Sequence, residues 1–157
     1  MTVLHPQRLP RQGFSWVEVL LVLIVMTLLA VFGFNQLARA RMAASEQLAL
    51  NSLRAMAKAC QLFVPSNQQY PMSLAELGAP ASNPPLLDST LIGDGTTVFK
   101  QGYQFTYRRP ATGQFIIHAN PKVHGETGAQ HFLIDQTMSL YGTTQNRDAT
   151  TSDTLVP

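Results

Sequence analysis

His118, His124, His131 and Asp135 place three imidazoles and a carboxylate in one short stretch, donor types that suit a metal such as zinc. Their spacing argues against a shared site. His118 falls mid-strand, His124 in a loop, and His131 and Asp135 lie four apart on a strand, on one face but roughly 13 Å from each other. They read as polarity on the sheet and loop surface, and no metal site is assigned to them. Asp88, Asp94, Asp148 and Asp153 are oxygen donors of the kind calcium takes, but they are scattered and match no calcium-loop spacing. Cys60 is the only cysteine. It allows no intramolecular disulfide and no cysteine-based metal site, and it reads as a small buried hydrophobe on a helix. No nucleophile–base pair or phosphate loop is recognisable, so the chain is not read as an enzyme and no cofactor is required.

The remaining chemistry lies at the N-terminus. Glu18 interrupts the start of an apolar run, residues 14–34. Such a run has the length, about 20 residues, that a membrane-crossing helix takes. A carboxylate in such a helix costs about 2.5–3.5 kcal/mol at the bilayer centre and less near the interface, and it marks a functional position by default. Before the run, residues 1–13 carry Arg8 and Arg11 with no acid, and Pro6 and Pro10 keep them out of a helix. Positive charge on that side places the N-terminus in the cytoplasm.

Three interpretations compete. A secretory signal peptide is favoured by Ala38-Arg39-Ala40, a small-x-small cleavage pattern. It is opposed by the length of the uncharged run and by Glu18. A plain signal anchor explains the length and leaves Glu18 without a role beyond reaching the headgroups. The third interpretation uses all the residues together. Gly13-Phe14-Ser15-Trp16-Val17-Glu18 followed by an apolar run resembles the prepilin N-terminal motif of type IV pilins and type II secretion pseudopilins. The shared features are a basic leader, Gly before the cut, Phe after it and Glu at the fifth mature position. Ser15 and Trp16 stand where the family often has Thr and Leu.

The resemblance implies cleavage between Gly13 and Phe14 by a membrane prepilin peptidase, and methylation of the new amine of Phe14. Physical chemistry supports the pattern independently. Glycine leaves the scissile bond unobstructed. Cleavage creates an ammonium beside apolar surface, and in a bundle of such helices it needs a partner. Glu18 of a neighbouring subunit could supply it and set an axial register, the role the family gives this residue. Major pseudopilins often bind calcium in their C-terminal loops, and Asp88, Asp94, Asp148 and Asp153 are the candidates here.

The elements that must carry these residues follow from periodicity. Residues 35–63 contain no Pro or Gly, and Ala49, Leu53, Met56, Cys60 and Phe63 recur at spacings of three and four, with Leu50, Ala57 and Val64 beside them. Pro65 is expected to end the helix. One helix of about 50 residues, on the order of 75 Å, is predicted. Ser73 and Glu76 form an S-x-x-E capping box for a short turn, and residues 78–102 read as a long loop. Alternation predicts strands at Tyr103, Phe105 and Tyr107, over 114–119 and over 131–135, with a short fourth at 139–142. The Tyr-Pro-x-Ser-Leu-x-x-Leu segment and the Gly and aromatic pattern from Gly102 to Asp135 also resemble pseudopilin-like proteins.

The expected class is α+β: a long N-terminal helix, membrane-spanning in its first half, on a small antiparallel sheet of three or four strands, pilin-like. The expected divisions are a leader (1–13), a transmembrane or filament-core helix (14–36), its amphipathic continuation (37–64), a globular head (65–142) and a flexible tail (143–157).

Removing Arg8 and Arg11 from the eleven basic residues leaves nine against nine acids, so the mature body has no basic field for nucleic acid. The function that follows from the resemblance is a structural subunit that polymerises through its N-terminal helix into a type IV pilus or type II secretion pseudopilus. Its expected partners are prepilin peptidase, other pilin or pseudopilin subunits, an inner-membrane assembly platform and the lipid bilayer. Its expected location is the bacterial inner membrane as a single-pass protein, with a cytoplasmic N-terminus and a periplasmic domain, and then the filament. The rival is a membrane-anchored or secreted periplasmic ligand-binding domain that uses loops 78–102 and 120–130.

Overall fold

The computed structural model describes residues 15–157, with the side chains of residues 31–35 left out. Helical backbone covers Trp16–Asn67 (α1), described in full over 16–30 and 36–67. Two short 3₁₀ turns follow at Leu74–Leu77 and Ser89–Leu91. Six strands come next: β1 (Thr97–Lys100), β2 (Tyr103–Ala111), β3 (Gln114–Pro121), β4 (His131–Asp135), β5 (Leu140–Thr143) and β6 (Thr154–Leu155). They form one antiparallel sheet in sequence order. Residues up to Leu37 form one compact unit and residues from Ala38 a second.

Within the second unit, the inner face of the sheet is built in rows. Val98, Phe105, Ala119, Phe132 and Gly142 are successive partners across β1 to β5. Tyr107, Ile117, Ile134 and Leu140 form the next row. These side chains share one core with Leu50, Leu53, Met56, Ala57 and Cys60 of α1. The stripe read from the spacing is therefore the buried face of the helix, and Arg54 and Lys58 lie on the exposed side. Bulk alternates with smallness along the first row. A Cβ on Gly142 would lie 2.8 Å from a Val156 methyl, so glycine there lets the C-terminal segment close over the core.

Several expectations are corrected. The sheet has six strands rather than three or four. β1 lies inside the stretch read as loop, because four residues with an exposed Phe99 carry no inward–outward alternation that reads as a strand. That stretch also folds onto the core through Leu86, Leu87, Leu91 and Ile92. β6 lies in the segment read as a flexible tail. There Tyr141 pairs with Leu155, the Val156 N–H donates to Leu140 O at 2.8 Å, and Arg54 donates to Pro157 O at 2.6 Å. Among the described residues no helix is long and apolar enough to cross a membrane.

Helix α1 also continues past Pro65 to Asn67. It stops where Gln68 takes a left-handed φ of 57° and its N–H donates to Val64 O at 2.7 Å, a left-handed cap made without glycine. Asn67 Nδ2 donates to Phe63 O at 3.0 Å, satisfying another terminal carbonyl. The capping box at Ser73 does not form. Glu76 Oε2 accepts from Met72 N rather than from Ser73 N, the Ser73 side chain makes no cap bond, and Leu74 N donates to Gly95 O.

Candidate assembly surface and polar sites

Ser15 O accepts from Glu18 N at 2.9 Å and from Val19 N at 3.2 Å, forming the first turn of α1. Apart from Glu18 and Thr27, the stretch 16–29 is apolar on every face, and it is exposed throughout, with Trp16 at 81% and Leu29 at 67%. A helix apolar all round belongs in the interior of something larger. Glu18 is the one ionisable side chain between Trp16 and Ala38. It sits at the positive end of the helix dipole, where a carboxylate is favoured, and it has no side-chain hydrogen bond or ion pair among the described residues. Gly13 and Phe14, the predicted cleavage pair, lie outside the described residues.

The four aspartates read as calcium candidates are spread through the body, three of them engaged locally and Asp148 with a distant strand residue. Asp88 accepts from Thr90 N at 2.7 Å and Asp94 from Thr96 N and Thr97 N at 2.9 and 2.5 Å. The Thr90 side chain and then its N–H hold the Asp88 carboxyl below the usual carboxylate range, and the N–H groups of Thr97 and Thr96 do the same for Asp94. Asp153 pairs with Arg147 at 2.5 Å and accepts from Thr150 N, and the Arg147 bond depresses its pKa most. Asp148 accepts from Asn120 Nδ2 at 2.7 Å. Among the described residues no group of three or more His, Cys, Asp or Glu side chains gathers as a metal cluster.

His124 is exposed on its loop, but His131 and Asp135 are not simple surface polarity. His131 is 5% and Asp135 7% exposed, on the sheet face away from α1. Ala149, fully buried, and Asp148 belong to the loop between β5 and β6, and Asp148 reaches Asn120 on that face. The periodicity of β4 could not reveal this, because all five of its residues are buried. Asp135 closes the turn after β4, accepting from Thr137 N at 2.9 Å and from Thr137 Oγ1 at 2.5 Å. His131 Nδ1 lies 2.8 Å from Asn120 Oδ1, and its Nε2 lies 3.3 Å from His124 Nδ1. His118 Nδ1 is buried with no partner. Burial first, and Arg108 as well, lower the His118 pKa, while Asp148 opposes them. Burial and then His124 lower that of His131.

Cys60 is buried as expected, and burial pushes its thiol up to about 12, which keeps it protonated and inert. Sequence reasoning missed Glu46, whose Oε1 accepts from Ala129 N at 2.8 Å and Gln130 N at 3.3 Å and so ties the β3–β4 loop to the helix. It also missed Tyr107, whose hydroxyl donates to Pro71 O at 2.5 Å. Both are long-range pairings with no local pattern to announce them. In comparisons with known proteins, no family model and no curated protein matches the chain.

Proposed function

We propose that this chain is a structural subunit of a pilin-like filament, a type IV pilus or type II secretion pseudopilus, processed by a prepilin peptidase between Gly13 and Phe14 and assembled through its N-terminal helix. The observation that carries this is the stretch 16–29, apolar on all faces and exposed, with Glu18 alone in its first turn. Burying that surface among copies of the same helix removes it from water at about 25 cal/mol per Å². A buried Glu18 would then need a cation, and the amine of Phe14 on a neighbouring subunit is the partner that processing supplies. The proposal includes other pilin or pseudopilin subunits and an assembly platform as partners. It also places the subunit at the bacterial inner membrane before assembly, its N-terminus cytoplasmic and its folded body periplasmic. That placement rests on Arg8 and Arg11 ahead of the apolar run.

Glu18→Ala tests the role of the carboxylate. In a cell that assembles the filament, the variant is expected to accumulate to wild-type levels and to fall at least tenfold in the sheared filament fraction, while Glu18→Asp retains part of the incorporation. Wild-type incorporation of Glu18→Ala would remove the argument for register.

A further inference from the structure

Asp148, Asn120, His131 and His124 form a chain in which each hydrogen bond fixes the next. A carboxylate only accepts, so Asn120 must turn its amide Nδ2 toward Asp148 Oδ1, 2.7 Å away. That leaves Asn120 Oδ1 facing His131 Nδ1 at 2.8 Å, and the ring must place its N–H there. The Nε2 of a neutral His131 is therefore a bare lone pair. A carboxylate-backed amide on the far nitrogen is the arrangement that orients metal-binding imidazoles and raises their basicity.

The lone pair points at a second imidazole. His124 Nδ1 lies 3.3 Å from His131 Nε2, with the ring centres 5.4 Å apart and the planes 26° from parallel, so the rings meet through their nitrogen edges. Two imidazole nitrogens bound to one ion at 2.0–2.1 Å in tetrahedral geometry lie about 3.3 Å apart. The loop that carries His124 is held in place. Gly125 N donates to Gly128 O at 2.9 Å, Thr127 N donates to Val123 O at 3.0 Å, and Glu46 of α1 accepts from Ala129 N and Gln130 N. Gly125 takes a φ of 84°, which favours glycine at this bend.

We infer that His124 Nδ1 and His131 Nε2 form a two-imidazole site for a divalent transition ion of the zinc, nickel and copper class, the class imidazole suits. His131 is the pre-oriented ligand and His124, exposed on its loop, completes the bite. Water fills the remaining positions, which makes the site exchangeable. Asn120 is a positioning residue that acts through His131. The bound ion clamps the β3–β4 loop onto β4, and this holds whether or not the chain assembles into filaments.

Zn²⁺ alone is the probe, titrated calorimetrically into the full chain in detergent micelles at neutral pH. One saturable site is expected in the wild type. His124→Ala is expected to weaken it at least tenfold with the metal-free melting temperature unchanged, and His5→Ala and His118→Ala to bind as the wild type does. Asn120→Leu, with both imidazoles kept, is expected to weaken binding severalfold and to move its loss to lower pH, because the ring without its acceptor is less basic. Equal Zn²⁺ binding by wild type and His124→Ala, or no saturable binding by the wild type up to about 1 mM, a bound far weaker than structural zinc sites show, would overturn the assignment.

Discussion

The stretches 16–30 and 36–67 of α1 are both helical, yet they treat apolar side chains in opposite ways. In the first, Leu20, Leu21, Leu23 and Ile24 are exposed in every direction. In the second, apolar side chains recur at three and four, and Leu53, Met56, Ala57 and Cys60 are fully buried against the sheet. The second stretch satisfies its periodicity inside its own unit. The first has no periodicity to satisfy. A helix dressed this way calls for a surround, and under the proposed function folding resides in one stretch and assembly in the other.

The comparison can be broken most forcefully in the core. Phe115 is fully buried and packs edge-on against Tyr70, ring centres 4.8 Å apart. Phe115→Ala is expected to cost about 3–5 kcal/mol of stability, as such truncations do, read by chemical denaturation of the body. Leu21→Ala, at a position 59% exposed, is expected to leave that denaturation within about 0.5 kcal/mol of wild type. A comparable loss in both variants would mean that the first stretch is part of the folded core after all.

A smaller effect is expected at Gly128. A Cβ there would lie 2.1 Å from the Tyr103 hydroxyl, which donates to Gln130 O at 2.9 Å. Gly128→Ala is expected to cost about 1–3 kcal/mol by overpacking, and Gly128→Ala with Tyr103→Phe is expected to recover part of it in a double-mutant cycle. A purely additive double variant would show that the hydroxyl is not the obstacle.

Much of this architecture was legible because it rests on local repetition. The helix stripe and strands β2, β3 and β4 all announce themselves by spacing. β1 and β6 did not. Val98 faces inward between an exposed Phe99 and a half-buried Thr97, and Thr154–Leu155 is only two residues long; each is a strand because of the neighbour it pairs with. In the N-terminal stretch, Glu18 in an apolar run is conspicuous at any spacing. The His124–His131 contact was not, because it joins a loop to a strand through a bend at Gly125 that no periodicity encodes. The burial of His131 was hidden for a similar reason, as its cover arrives from the loop before β6.

The smallest expected effect is on pH dependence in the body. His118 has a buried, unpartnered Nδ1, and burial holds its folded-state pKa below the usual value, with Arg108 adding to that and Asp148 opposing it. As pH falls, the unfolded chain takes up this proton first, near pH 6.5, so stability is present above that pH and declines below it. His118→Gln is expected to make the melting temperature fall less steeply between about pH 6.5 and 5. An unchanged slope in His118→Gln would assign the whole dependence elsewhere.

The difference between the two helical stretches ends in a claim about processing, and the mature N-terminus tests it most directly. Mass spectrometry of the N-terminal peptide from the producing cell is expected to find a chain that begins at N-methylated Phe14, with Glu18 fifth. A chain that begins at Arg41 or Met42, beyond the Ala38-Arg39-Ala40 pattern, or one that is never cut, would contradict the account, because assembly through this helix needs the new amine that cleavage at Gly13 creates.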